Sequence, residues 1–284
     1  MNNDVSVIIP TYNQKPEYLR CAIDSVLSQT SPPRELIISN DGGDSILDFI
    51  QNILLGYCNG PLIQSNLNPI IGDTFRWYTY QLDSSNIVVK LLESDRNVGT
   101  AGALNGGISL ANGKYISWLS SDDFFYPQFL ELHIACLNKD TLATYSGFSE
   151  LTYNESGLLG AWGDYRPMGF DNGGNMPRRW QAKEFNIMLK HCLFNGSCAF
   201  NGCCFVIAKE VYKEIGGFNT EFTFSQDFEM WFRVSKKFDI VMLPQILLCR
   251  RNHTGRTYSL FSNDEYQTKR EWEFDQMRKE FANG

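Results

Sequence analysis

Residues 115–127 read YISWLSSDDFFYP. The apolar run before Ser120 has the length and residue types of a buried strand, and it ends in Asp122 and Asp123 side by side before aromatics resume. Two carboxylates at a dry strand end repel each other and push a pKa upward unless something cationic or N–H-rich receives them. A hard divalent ion such as Mg2+ or Mn2+ would do so, using one or two carboxylates together with phosphate oxygens. A helix starting near Phe124 or Pro127, with both aspartates as caps, would do so equally well.

The same kind of run recurs upstream. VSVIIP (5–10), ELIIS (35–39) and IVVKLLE (87–93) are nearly continuous in apolar β-formers, as strands covered on both faces are, and KYISWL (114–119) is the fourth. After the first, Pro16 opens a helix with Leu19, Ile23, Val26 and Leu27 at helical spacing. After the third, GTAGALNGGISLANG places Leu104, Ile108 and Leu110 on a helix of small residues that Gly113 closes. This order predicts an α/β domain built on a parallel sheet with right-handed crossovers. Residues 46–55 suit a helix, whereas the turn formers that follow, up to residue 86, give no clear period.

Downstream, CCFVIAK (203–209) and DIVMLP (239–244) read as strands and EVYKEIGGF as a short helix stopped by two glycines. FSQDFEMWFRVSKKF is an amphipathic helix with Ser225 as its candidate N-cap, and residues 264–281 form a charged helix. Residues 147–202, rich in Gly, Asn and aromatics, are expected to form surface loops around a site rather than a second core.

Composition bounds the function. With 43% apolar and 14% aromatic residues among 284, a large core can be built, and 20% charged residues without a long run exclude a disordered chain. A net charge of −7 opposes nonspecific nucleic-acid binding, which needs a cationic surface. No apolar run approaches the roughly 20 residues of a membrane span, and MNNDVSVIIPTYN lacks the features of a signal peptide. A cytoplasmic setting is therefore expected, with the eight cysteines as free thiols. His191, Cys192, Cys198, Cys203 and Cys204 cluster without the paired CxxC spacing of a zinc site, and buried thiols are the expected reading.

Each of the four strands ends in a short polar motif: TYN, NDGG, DRNVG and SSDD. In open α/β sheets ligands bind outside the carboxyl ends of the strands, so these tips define a site. There is no GxxxxGK[ST] phosphate loop and no GxGxxG after the first strand. The segments VSVIIPTYNQ, NDGGDS, RNVGTAGALNGGISLANGKYISWLSSDD, IGGFN, SQDFEMWFRV and CRRNHTGRTYS resemble, in that order, those of family 2 glycosyltransferases. The resemblance leaves out residues 46–86 and much of 147–200.

That resemblance implies a GT-A fold, an α/β, Rossmann-like, mostly parallel sheet with flanking helices, and sugar transfer from a nucleotide sugar with inversion. It also implies one domain over 1–262, with a nucleotide-binding half (1–125) and an acceptor-binding half (126–262), followed by a C-terminal helix (263–284). Pro10, Thr11, Tyr12 and Asn13 would hold the nucleotide, Tyr12 against the base face. Asp41 would accept the base N3–H, which favours uracil or thymine, and Arg96, Asn97 and Gly99 would line the nucleotide or diphosphate. Asp122 would touch the ribose, Asp123 would bind the metal, His253 would complete the metal or diphosphate site, and Asp227 would be the general base.

Each residue has a plainer role open to it. Asp41 could close an Asx turn, Tyr12 could be packing, Asp227 could be a helix-terminus anion, and His253 could lie in a solvated patch with Arg250, Arg251 and Arg256. Trp231 and Phe232 are expected to pack their helix. The family usually has an acid where Asn40, Ser120 and Gln226 stand, so each motif keeps only its second carboxylate.

The expected activity is metal-dependent (Mn2+ or Mg2+) inverting transfer from a UDP-sugar to a saccharide or lipid-linked acceptor, by resemblance in surface polysaccharide assembly. Trp162, Trp180 and Asn201 are the candidate acceptor cleft, and PRRWQAK (177–183) is either a solvated basic turn or a contact with the inner membrane face. A nucleotidyltransferase would use a similar sheet, but TYNQKPEY supplies no Gly- and Arg-rich phosphate loop; a binding-only homologue is the other alternative.

Overall fold

The computed structural model describes residues 4–58, 63–71, 75–82, 85–154, 157–165, 176–195, 200–254 and 262–281. The first half runs β1 (Val5–Thr11), α1 (Pro16–Leu27), β2 (Glu35–Asn40), α2 (Leu47–Leu55), β3 (Ile63–Ile71), β4 (Phe75–Gln81), β5 (Val88–Ser94), α3 (Gly99–Leu110) and β6 (Tyr115–Trp118). The second runs β7 (Phe124–Phe125), α4 (Phe129–Cys136), β8 (Ala143–Asn154), β9 (Gly157–Tyr165), β10 (Arg178–Trp180), α5 (Ala182–Phe194) and β11 (Phe205–Ala208). It closes with α6 (Lys209–Ile215), α7 (Gln226–Ser235), β12 (Ile240–Asn252) and α8 (Asn263–Phe281).

The strands form one sheet in the order β10-β12-β8-β11-β6-β1-β2-β5-β4-β3, with β7 on β12 and β9 on β8. β6, β1, β2 and β5 are mutually parallel, as expected of runs buried on both faces. At its amino end this parallel block contains a buried ion pair, Lys90 Nζ to Glu35 Oε2 at 2.6 Å, and the Ser6 hydroxyl donates to Glu35 Oε1. The carboxyl ends of all four strands therefore point the same way, and their tip loops meet.

Four expectations change. The stretch without a clear period holds β3 and β4, antiparallel strands that extend the edge beyond β5. Residues 147–202 are not only loops: β8 lies inside the sheet between β11 and β12, and β9, β10 and α5 surround it. ATYSGFSELTYN is strand-forming, but Thr144, Ser146 and Gly147 stand among its buried positions where Val or Ile would mark a strand; the Thr144 hydroxyl donates to the Val206 carbonyl. Cys203 and Cys204 lie in a 3-10 turn (Gly202–Cys204) ahead of β11, and with Cys192 they are buried free thiols; Cys198 lies outside the described residues. The strand begun by DIVMLP continues to Asn252, past bulges between Met242 and Leu248, so CRRN is strand end rather than loop.

Candidate active site

At the tips of β1, β2 and β5 three loops lock together. The Asp41 amide donates to the Thr11 carbonyl, and Asp41 Oδ1 accepts the Val98 N–H at 2.6 Å. Gly42 (φ 80°) and Gly43 (φ 82°) adopt backbone conformations that favour glycine, and a Cβ on Gly42 would stand 2.7 Å from the Arg96 carbonyl carbon. Asn13 is itself left-handed (φ 46°) beneath Gly43, and Asn97 Oδ1 accepts the Gly99 N–H at 3.0 Å. Asp41 is buried, and burial raises its pKa to about 6 against the lowering effect of the Val98 and Gly99 N–H groups. Pro10 and Thr11 are buried strand residues, whereas Tyr12, 45% exposed, and Asn13, Arg96 and Asn97 face solvent. This is an open ledge with a buried carboxylate at its base.

The aspartate pair is organised by β12, and sequence reasoning missed how. β7 follows the pair at once and runs antiparallel to Leu248 and Cys249, which sets Arg251–His253 against both carboxylates. The Arg251 N–H donates to Asp123 Oδ1 at 2.9 Å and Arg251 Nη1 donates to the Asp122 carbonyl at 2.7 Å. Its guanidinium is buried over the rings of Tyr18 and Phe124, and Nη2 reaches Cys21 Sγ. His253 Nε2 lies 3.0 Å from Asp122 Oδ2, and the Ser120 hydroxyl donates to Asp122 Oδ1 at 2.5 Å. Ser120, standing where the family has an acid, thus orients Asp122. Of the arginines that could have formed a solvated patch, Arg251 is a buried clamp, Arg250 pairs with Glu150, and Arg256 lies outside the described residues. His253 is likewise buried, not a surface histidine.

The general-base candidate Asp227 sits in the first turn of α7. Asp227 Oδ1 accepts the Phe228 N–H at 2.8 Å, and a Cβ on Gly202 would lie 2.6 Å from Asp227 Oδ2, so the turn at Gly202 is molded around the carboxylate. Burial raises the pKa of Asp227 to about 6 despite N–H groups from Phe228, Asp227 itself and Gly202, and the Glu273 charge adds to the rise. The buried Cys203 thiol is pushed up by burial and by the charges of Asp123 and Asp227, and its Sγ accepts the Ser120 N–H. Ser225 makes no side-chain cap, and Gln226 Oε1 is buried with no partner among the described residues. Trp231 and Phe232 pack the core, as expected.

Trp180 is buried at the edge of the sheet, the Asn201 side chain accepts the Cys203 N–H, and the Trp162 side chain lies outside the described residues. A separate cleft of about 710 Å³ lies along β12, lined by Tyr126, Pro127, Gln128, Asp164 and residues 244–247.

Among the described residues no three His, Cys, Asp or Glu side chains form a metal-binding group by themselves. His253 meets Asp122. Their 3.0 Å separation fits neighbouring ligands of an octahedral ion, which at bonds of about 2.1 Å stand roughly 3 Å apart. An ion with few protein ligands that keeps water and phosphate oxygens is the kind this donor set suits.

Glycosyl transferase family 2 matches residues 6–64 and 79–216. The chain belongs to this family and is a glycosyltransferase. The matched stretches hold Asp41, Arg96, Asp122 and Asp123, while Asp227 and His253 lie beyond them. An uncharacterized glycosyltransferase of Rickettsia prowazekii is 29% identical over 268 residues, covering 93% of this chain and 69% of its own length. A UDP-Glc:alpha-D-GlcNAc-diphosphoundecaprenol beta-1,3-glucosyltransferase of Escherichia coli is 24% identical over 269 residues, covering 95% of this chain and 84% of its own. Among solved structures, S. aureus TarS residues 1–349 in complex with UDP-GlcNAc superposes with a TM-score of 0.55 at 14% identity, over 90% of this chain and 60% of that one. A mannosyltransferase of Pyrobaculum calidifontis in complex with GDP-Man and Mn2+ gives 0.53 at 14% identity, over 88% of this chain and 57% of that one. The glycosyltransferase thus has the GT-A fold; at this identity the structural likeness carries the fold alone.

Proposed function

We propose that this glycosyltransferase moves a sugar from a UDP-sugar to a hydroxyl of a saccharide or lipid-linked acceptor, with inversion at the anomeric carbon. The observation that carries the reading is the placement of Asp227. A partly buried carboxylate with its pKa raised to about 6 stands against the turn that carries Cys203, whose thiol feels the charges of both Asp123 and Asp227. A group titrating there is ionised at neutral pH yet basic enough to take a proton in a transition state.

In this reading the ledge of Tyr12, Asn13, Arg96, Asn97 and Gly99 receives the nucleotide, and Asp41 accepts the N3–H of uracil. Asp122 and His253 would hold a divalent cation beside the diphosphate, and Asp123, fixed by Arg251, would support them. Mn2+ or Mg2+ bound there would supply Lewis-acid neutralisation of the leaving diphosphate. Asp227 removes the acceptor hydroxyl proton as that oxygen bonds to the anomeric carbon, on the face opposite the diphosphate. The carbon–oxygen bond to the diphosphate breaks with its electron pair. One displacement with one base inverts the centre.

UDP is favoured by Asp41, by the UDP-Glc named for the E. coli relative and by the UDP-GlcNAc bound to TarS. The diphosphoundecaprenol in the relative's name supports a lipid-linked acceptor, surface polysaccharide assembly and peripheral contact with the inner membrane face. No helix among the described residues is long and apolar enough to cross a membrane. The two halves of the domain divide the labour, residues 1–125 for the nucleotide and 126–262 for the acceptor. The test is incubation with a panel of nucleotide sugars and Mn2+, reading nucleoside diphosphate released by wild type and by Asp227→Asn. Release by wild type and none by the variant is expected; equal release by both would retire the base.

A further inference from the structure

The loop entering α7 is held from outside its own helix. The amides of Thr223 and Phe224 immediately precede Ser225, the residue that leaves its capping role unfilled. Both are received by Glu273 of α8: Oε1 accepts the Thr223 N–H at 2.5 Å, and the Phe224 N–H is shared by both oxygens at 3.2 Å. Glu273 is 0% exposed. A carboxylate is seldom buried completely without such partners, because its desolvation is costly. Neighbouring contacts fix the geometry further: Phe274 packs on Phe228, Phe281 stacks on Phe232 at 4.9 Å, and Lys269 Nζ donates to the Glu221 carbonyl. α8 lies wholly beyond the residues that match the family.

We propose that α8 is part of the transfer apparatus, with Glu273 a positioning residue that fixes the entry of α7 and thereby the reach of Asp227. The proposal rests on Asp227 being the base. Only Ser225 and Gln226 separate the gripped amides from the base, about one turn of chain, so a loosened entry displaces the carboxylate directly. The nucleotide ledge is built on other elements, the tips of β1, β2 and β5. Loss of the grip should therefore slow the chemical step and spare the donor site.

The test uses the full chain, UDP calorimetry with Mn2+, and UDP released from a panel of UDP-sugars. Glu273→Met keeps the volume and removes the acceptors; Glu273→Gln keeps an acceptor oxygen. Thr223→Pro, at an exposed residue, removes one donor from the loop side and leaves α8 intact, so the grip is tested even if Glu273→Met does not fold. For Met and Pro, kcat is expected to fall at least about tenfold, with donor KM and UDP affinity within about threefold of wild type. The Gln variant should recover most of kcat. Unchanged kcat in the Met or Pro variant, or joint loss of kcat, UDP binding and thermal stability, would overturn the proposal. Asp227→Asn measured alongside separates the two failures: if it is inactive while the Met and Pro variants turn over normally, only the role of Glu273 falls. If Asp227→Asn is active, the base assignment falls and the proposal with it.

Discussion

At the residue scale the two carboxylates to which the proposed function gives roles, Asp41 and Asp227, both have pKa values raised to about 6 by desolvation. For Asp227 the consequence is a pH limb. The base must be ionised, so kcat is expected to be low below about pH 6 and to rise through it, measured under saturating donor. Asp227→Asn should leave UDP affinity within about twofold and lower turnover by at least about a hundredfold. For Asp41 the consequence is on stability. Its folded-state pKa lies above the ordinary 3.8, so the folded state holds the proton more tightly than the unfolded chain does. Stability from this group is fully present below about pH 4 and is lost as pH rises through about 6. Asp41→Asn should flatten that decline in urea unfolding series between pH 4 and 7, and weaken UDP binding if the carboxylate receives N3–H. Asp41 was legible in the sequence because it ends an apolar strand, whereas Asp227, in the first turn of α7, was legible only through the resemblance to the family. Arg251 was not: in CRRNHTG it is one cation among several, and its clamp on the aspartate pair exists only because β7 pairs with β12 more than a hundred residues away.

At the scale of elements, the readable strands were those buried on both faces. β1, β2, β5 and β6 must be apolar at nearly every position, so composition alone marks them. β8 lies as deep in the sheet yet meets that demand with Thr144 and Ser146, whose small hydroxyl side chains resemble a loop on paper. β3 and β4 sit at the edge, where alternation is weak. The loops between these elements are positioned by close approach rather than by propensity. Gly42→Ala would force a Cβ to 2.7 Å from the Arg96 backbone at φ 80°, and should cost about 1–3 kcal/mol in unfolding free energy and loosen the nucleotide ledge. Its check is the urea midpoint together with UDP affinity; a variant as stable as wild type would show that the loop contact is slack.

Across the whole molecule, one sheet carries every part of the candidate site. The parallel block presents Asp41 and the aspartate pair, β12 returns to clamp that pair, and the 3-10 turn ahead of β11 cradles Asp227. Arg251 and His253 together hold the aspartate pair, so a cation bound there should be felt by donor binding as one event rather than residue by residue. The most direct measurement is titration calorimetry of UDP into the protein in Mn2+ and in EDTA, with His253→Ala in parallel. UDP is expected to bind at least about tenfold more tightly with Mn2+, and His253→Ala to lose most of that gain. Equal affinity in Mn2+ and EDTA, with the fold intact, would contradict a cation held at the tip of β6.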